Sequence, residues 1–376
     1  MSDKELVKTI VLSNNDRFYF SRKYDENYIN KTIVNAEKRY AKYDEHLLFP
    51  EIGSQLEEDF RRKSIHGTVA IEGNPLTEAE VGIVLKNKDK KSVINSTDQE
   101  VLNIDRAYEM LDAKAGQIII SENDITSFHC MIMQDIDNNI AGKYRNRRVK
   151  VGDIAHGGVY TPPIRNKDIK LLMKEFINFI NSPEVLELNP VVRGALGHYH
   201  LALIHPFEDG NGRMARIIEA LIMTLSNMKY MPKLLSYHYN LDIDGYYKSF
   251  SKTEKSKSRD ITDFLMFVCI TVYESLFFAG NKILEHVFDN TLKSYFLALW
   301  KEHSIDQRQY ELMQILLKNS EEITFKELLT KLPYSLLYRN LTDRTARRDI
   351  LKLIKLNLIY LSGDGEIILN RDILKI

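Results

Sequence analysis

Cysteine is nearly absent: Cys130 and Cys269 are the only two among 376 residues. Two distant thiols build no disulfide framework and no metal-binding spacing, and they suit a reducing cytoplasm, which is the expected compartment. A net charge is lacking too, because 52 Lys and Arg balance 52 Asp and Glu. That argues against a protein coating nucleic acid along its length, while leaving room for a local basic patch. The most apolar stretch, Ile261 to Gly280, is broken by Asp263, Tyr273 and Glu274. It reads as a buried amphipathic helix, so no membrane span is expected. The opening MSDKELVKTI has no basic segment followed by an apolar run, so no signal peptide is expected. Internal repeats and low-complexity tracts are missing as well. What remains is a globular composition, 44% hydrophobic and 28% charged, with length for two or three domains.

The periodicity is mainly α. Apolar residues recur at three- and four-residue steps in 26–48, 98–114, 167–181, 190–204, 213–226 and 260–285. Before residue 300 the one clear strand-rich island is Arg147 to Pro163. Val149, Val151 and Ile154 form one arm, His156-Gly157-Gly158 the turn, and Val159-Tyr160-Thr161 the other arm, which predicts a β-hairpin. A separate domain is predicted from about residues 295–305. It has helices over Gln309 to Lys318, Thr324 to Lys331 and Thr342 to Leu356, the last opened by Thr342-Asp343-Arg344-Thr345 as a capping cluster. A hairpin follows, Leu358 to Leu361 and Glu366 to Leu369 around Ser362-Gly363-Asp364-Gly365. Three helices and a two-stranded wing make a winged-helix pattern. Arg339, Arg344, Arg347 and Arg348 fall where a recognition helix meets DNA, across 339–348. Asp343 and Asp349 interrupt them, so contact with DNA and contact with protein alone both stay open.

The chemistry concentrates in His205-Pro206-Phe207-Glu208-Asp209-Gly210-Asn211-Gly212-Arg213-Met214-Ala215-Arg216. One helix ends at Ile204 before Pro206, and another begins after Asn211-Gly212. The segment therefore sits at a helix N-terminus, where free amides favour an anion. Gly210 and Gly212 let successive amides converge. Arg213 and Arg216, three apart, offer two guanidinium forks to successive phosphates. Asp209 is a hard oxygen ligand suited to Mg²⁺ bridging phosphate oxygens. His205 is a base that titrates near neutrality. Taken singly, each has a plainer reading as helix end, turn or solvated face. Those plainer readings leave unexplained why base, metal ligand, nest and paired cations share one loop.

This segment resembles the Fic-family motif H-x-F-x-[DE]-G-N-G-R-x-x-R at every position. Ala195, His198 and Gly142-Lys143-Tyr144-Arg145 are similar to family features as well, and the resemblance covers roughly residues 60–250. It implies a Fic-type helical bundle with a β-hairpin flap, and transfer of AMP from ATP to a hydroxyl of a target protein or of the chain itself. His205 would be the general base and Phe207 a buried anchor. Asp209 would hold Mg²⁺, and Gly210, Asn211 and Gly212 would line the anion hole, the Asn211 side chain near the α-phosphate. Arg213 would hold the β-phosphate and Arg216 the γ-phosphate. Glycine at 212 implies nucleotidyl transfer, since a phosphorylating relative carries lysine there. Val149, Val151, Val159 and Tyr160 would hold the target segment by strand addition. Relatives often dimerise, so a homodimer is implied as a possibility of the family.

Ser64 to Gly73 reads as a short helix with Thr68 and Glu72 on one face, stopped by Gly73-Asn74-Pro75. Thr68-Val69-Ala70-Ile71-Glu72-Gly73 is similar to the Fic inhibitory motif [ST]-x-x-x-E-[GN]. The resemblance implies that Glu72 pairs with Arg216 and withholds it from the γ-phosphate, as in the subclass with an N-terminal inhibitory helix. The expected domains are thus an N-terminal helical region 1–95 with its inhibitory helix near 64–73, a catalytic core with flanking helices 96–295, and a winged helix-turn-helix domain 296–376. Two other functions stay open: hydrolysis that removes AMP, with Glu72 positioning water, and a nucleotide-sensing winged-helix regulator that binds DNA. Tyr246-Tyr247 resembles a family tyrosine pair, and helix packing accounts for it equally well.

Overall fold

The computed structural model describes residues 6–44, 50–88, 95–114, 116–226, 228, 230–319 and 321–374. The chain divides into two compact units, Met1–Lys282 and Ile283–Ile376. The division falls inside one 40-residue helix, Thr262–Lys301. This is earlier than the boundary expected at 295–296, and the helix runs well past the expected 285. The reason is the period: Leu292 and Phe296 continue the apolar stripe and are buried in the second unit's core. The separation expected at residue 95 is also absent. Ile65 and Val69 share one hydrophobic cluster with Val101, Ile104, Ile217 and Ile218. Among the described residues, Thr262–Lys301 is the one helix long and apolar enough to cross a membrane, and 56% of its most apolar stretch is buried.

The first unit is built around the helix pair Pro190–Ile204 and Asn211–Met223. Both are buried on nearly every face, as helices without an exposed polar stripe must be. Close approach sets their glycines: a Cβ on Gly194 would lie 2.7 Å from Met223 Cγ, and one on Gly197 2.9 Å from Ile222 Cδ1. Asn189 caps the first helix by accepting from the Val191 amide, with Pro190 following it. Ser96–Ala113 and Asn166–Ile180 form near the expected positions and, with Glu122–Met133, which was not expected, pack around the pair.

Two expectations need correction here. The short helix at 64–73 is the end of a 22-residue helix, Pro50–Ile71. Leu56 and Phe60, four apart and fully buried, extend its apolar face upstream. Gly67 lets it cross the helix Leu235–Leu241, since a Cβ there would sit 2.4 Å from the Ser236 carbonyl oxygen. The second concerns strands. A two-stranded antiparallel ribbon, Val7–Val11 with Arg17–Ser21, precedes every helix described above. Its signal was the alternation of buried Phe18 and Phe20 with outward Arg17 and Tyr19, in a run only five residues long.

The second unit has helices Gln307–Asn319, Phe325–Thr330, Ser335–Tyr338 and Asp343–Lys355, then strands Ile359–Leu361 and Ile367–Leu369 paired antiparallel. A bridge from Ile323 to Ile367 adds a third short edge. Thr324 and Glu327 form a reciprocal capping box, whereas the Thr342 hydroxyl at its N-cap meets Thr345 Oγ1 at 3.3 Å and caps no backbone amide. Asp349 departs from its expected place on the basic face. It is fully buried, 2.6 Å from Arg308 Nε and 3.0 Å from Gln309 Nε2. Arg339, Arg344, Arg347 and Arg348 stay exposed.

Candidate active site

The helix Pro190–Ile204 ends at His205, whose φ of 50° and ψ of 57° turn the chain out of the helix. The loop closes on itself within six residues. Asn211 accepts from the Phe207 amide at 2.9 Å and donates to the Phe207 carbonyl at 2.9 Å. Its side chain thereby pins the loop through both of its polar atoms. Gly210 then takes φ 76° and starts the helix Asn211–Met223. The amides of Asn211, Gly212 and Arg213 stand in its first turn, where no intrahelical acceptor exists.

Phe207 is fully buried and stacks on His129, ring centroids 3.6 Å apart and planes within 4°. The Gly142 amide donates to His129 Nδ1 at 2.9 Å, so Nε2 carries the proton and donates to the Asp209 carbonyl at 2.9 Å. Burial lowers the His129 pKa to about 4, consistent with this neutral tautomer. Arg145, also buried, donates through Nε to the His205 carbonyl at 2.7 Å and through Nη2 to the Pro163 carbonyl at 2.7 Å. The loop is thus braced from two sides. Neither brace was assigned from sequence: a histidine inside a helix and an arginine in a loop carry no local mark of a partner some 60 or 80 residues away.

His205 itself is mostly buried, and burial lowers its pKa to about 4. Nδ1 faces the Ala202 carbonyl at 3.3 Å, a weak contact that assigns the proton to Nδ1 and leaves the Nε2 lone pair free. The imidazole is therefore neutral at neutral pH, as a proton acceptor must be. Asp209 exposes 58% of its side chain, with Oδ1 accepting from the Gly210 amide at 2.6 Å and Oδ2 3.3 Å from Arg213 Nη2.

Both arginines are already engaged by carboxylates. Arg216 is 3% exposed. It donates from Nη2 to Glu72 Oε1 at 2.7 Å and to the Thr68 carbonyl at 3.1 Å, and from Nε to Thr68 Oγ1 at 2.8 Å. Burial opposes its charge, but the Glu72 carboxylate outweighs burial and holds its pKa above the ordinary value. Glu72 also lies against Gly212, where a Cβ would come 2.2 Å from its Oε1. Arg213 Nη1 lies 3.4 Å from Glu100 Oε1, an ion pair without hydrogen-bond geometry. Glu100 Oε2 in turn accepts from Asn74 Nδ2 at 2.8 Å, two residues beyond Glu72. Glu100 and Asn74 were missed by sequence reasoning, because both look like solvent-facing residues.

Residues 149–163 do not form the expected regular hairpin. One bridge, Val151 with Tyr160, joins the arms through two backbone bonds of 2.9 and 2.8 Å. Gly152, Gly157 and Gly158 all take positive φ, and Asp153 caps the His156 amide, so the segment turns before a ladder can grow. Val149 is half-buried, Val159 is 51% exposed, and Tyr160 reaches the Leu203 carbonyl at 3.2 Å. Tyr246 is buried, 2.8 Å from His198 Nε2, and Tyr247 reaches the Ile71 carbonyl at 3.4 Å. His198 completes the packing by pairing with buried Glu219 at 2.8 Å.

Residues 119–223 match the model of the Fic/DOC family, a span that contains the whole loop and both helices around it. The chain carries a Fic domain. Over 158 residues it is 36% identical to "Protein adenylyltransferase Fic" of Drosophila erecta and 35% identical to the protein of that name in Drosophila melanogaster. The matches cover 41% of this chain and 30% of each relative, so the chain spans about a third of their length. Among solved structures, a Fic family protein from Desulfovibrio desulfuricans G20 has a TM-score of 0.57 at 20% identity, covering 91% of this chain and 95% of that one. Fic-1 from C. elegans has a TM-score of 0.55 at 23% identity, covering 68% and 72%. These structures share the fold of the Fic domain and its flanking helices.

Proposed function

We propose that the chain is a protein adenylyltransferase that moves AMP from ATP to a hydroxyl of a protein, and that Glu72 holds it inactive. The observation that carries this reading is the joint geometry of one loop. A neutral His205 with a free Nε2 stands beside first-turn amides and two buried arginines. The name shared by the Drosophila relatives supports AMP as the transferred group.

The triphosphate would lie on the amides of Asn211, Gly212 and Arg213. Arg213 would exchange Glu100 for the β-phosphate, and Arg216 would exchange Glu72 for the γ-phosphate. Asp209 fits Mg²⁺: its carboxylate is open to solvent beside the nest, and a single carboxylate suffices for an ion otherwise held by phosphates and water. When bound, the ion supplies charge neutralisation along the phosphates. His205 Nε2 takes the proton of the attacking hydroxyl as its oxygen bonds to the α-phosphorus. The bond to the bridging oxygen breaks, and pyrophosphate leaves. Positioning and charge neutralisation lower the barrier, with the base contributing roughly 10²- to 10⁴-fold.

ATP labelled at the α-phosphate, or at the γ-phosphate, tests the reaction class with the Glu72→Gly chain and Mg²⁺. AMP transfer predicts protein-bound label from the α-position only. Label arriving from the γ-position would mean phosphorylation instead.

For the second unit we propose a winged helix that contacts DNA through 339–348. Because Asp349 is turned inward, it does not offset the exposed Arg339, Arg344, Arg347 and Arg348. A gel-shift series against salt tests this. Binding that ignores salt, or no binding, would leave the unit as a protein contact.

A further inference from the structure

A cavity of about 220 Å³ lies beside the flap and apart from the phosphate loop. Tyr160 of the flap forms one wall, and Tyr199 and His200, on the helix that ends at His205, form another. Arg17, Glu254 and Arg259 complete it. Arg17 and Arg259 have no acidic partner within 4 Å among the described residues, unlike Arg213 and Arg216. The Arg259 guanidinium instead rests 4.0 Å from the centre of the Tyr19 ring. His200 is fully buried, and its Nδ1 has no hydrogen-bond partner. The cavity thus offers an anionic guest two guanidiniums without carboxylate partners, Arg17 exposed and Arg259 half-buried.

The flap supplies a way for the guest to arrive. Val151 and Tyr160 exchange both of their backbone bonds. In such a pair the neighbouring groups point outward. Val159 and Thr161 have no backbone partner among the described residues. An extended segment adding to that edge would send alternate side chains towards the protein, and strand addition draws its specificity from pockets for those side chains. We propose that this cavity is a specificity pocket for an aspartate or glutamate of the docked protein segment. Its carboxylate would be held by Arg259 and Arg17, which outnumber the single Glu254. The inference rests on the reading that the chain modifies a protein segment held on the flap.

An array of nine-residue peptides, each carrying one hydroxyl residue and Asp, Glu, Asn or Gln at every other position in turn, tests the pocket. It is developed with the full chain and without nucleotide. At one fixed offset from the hydroxyl, acidic peptides should be retained roughly tenfold or more over their amides, as expected for a charge-assisted pair. Arg259→Gln should erase that preference, and Arg17→Gln, at an exposed strand position, should weaken it with the fold intact by circular dichroism. Equal retention of acid and amide, no retention of any peptide, or a preference unchanged in both variants would overturn the proposal. So would full displacement of the peptides by millimolar free glutamate, which would make the guest a small molecule. A failure of AMP transfer would appear in the labelling assay and not on this array.

Discussion

Arg216 gives its buried guanidinium to a single helix: Nη2 sits 2.7 Å from Glu72 Oε1, and Nε sits 2.8 Å from Thr68 Oγ1. The arginine best placed to hold a terminal phosphate is thus ligated by the chain itself. A carboxylate and a phosphate cannot share the same fork, so nucleotide and Glu72 compete for it.

Thr68→Val keeps the shape of the side chain and removes the hydroxyl. It leaves Arg216 Nε buried without a partner, which costs about 1–3 kcal/mol. Denaturant unfolding should show a lower midpoint with an unchanged slope, and AMP transfer should rise above the parent chain. An unchanged midpoint would mean that water or another group replaces Thr68 at no cost.

Glu100→Gln removes a charge from Arg213 and keeps an acceptor for Asn74. In a Glu72→Gly background, the KM for ATP should fall by roughly threefold to tenfold, the scale of a partly exposed ion pair. Steady-state kinetics over a range of ATP concentrations reads this. An unchanged KM would show that Glu100 does not compete with the nucleotide.

His205→Ala should lower AMP transfer by roughly 10²- to 10⁴-fold, the contribution of a positioned base. Calorimetric ATP affinity, measured with Glu72→Gly in both chains, should change little. Equal loss of affinity would make His205 a structural residue.

Acid should destabilise the fold through its buried histidines. His129 and His200 are lowered from 6.5 to about 4 by burial. A depressed folded value means that the unfolded chain binds these protons first. Stability present above pH 6.5 is therefore lost as pH falls towards 4, on the order of 3 kcal/mol for each group. Melting curves between pH 7.5 and 4 should fall across that window, and replacing His200 by Gln should flatten the fall.

The catalytic loop was legible because its meaning is local. His205 to Arg216 are contiguous, and the helix break at Pro206 is written in the same twelve residues, although the second helix starts at Asn211 and not after Gly212 as expected. The contact between Thr68, Glu72 and Arg216 spans 144 to 148 positions, and only its likeness to a known motif pointed to it. Features fixed purely by tertiary packing stayed hidden. His129 stacks on Phe207 from a separate helix, and Arg145 reaches the His205 carbonyl from a loop. The flap failed in the opposite sense. Alternating valines suggested a ladder, but three glycines at positive φ bend the chain away after one bridge.

The most direct test of self-inhibition is the intact mass of the parent chain and of Glu72→Gly after equal incubation with ATP and Mg²⁺, each mixed with the same pool of candidate target proteins. Release of Arg216 from a buried charge-assisted bond predicts roughly 10- to 100-fold more AMP adduct with Glu72→Gly. That adduct should vanish when His205→Ala is added. Equal adduct from the parent and Glu72→Gly would contradict the account.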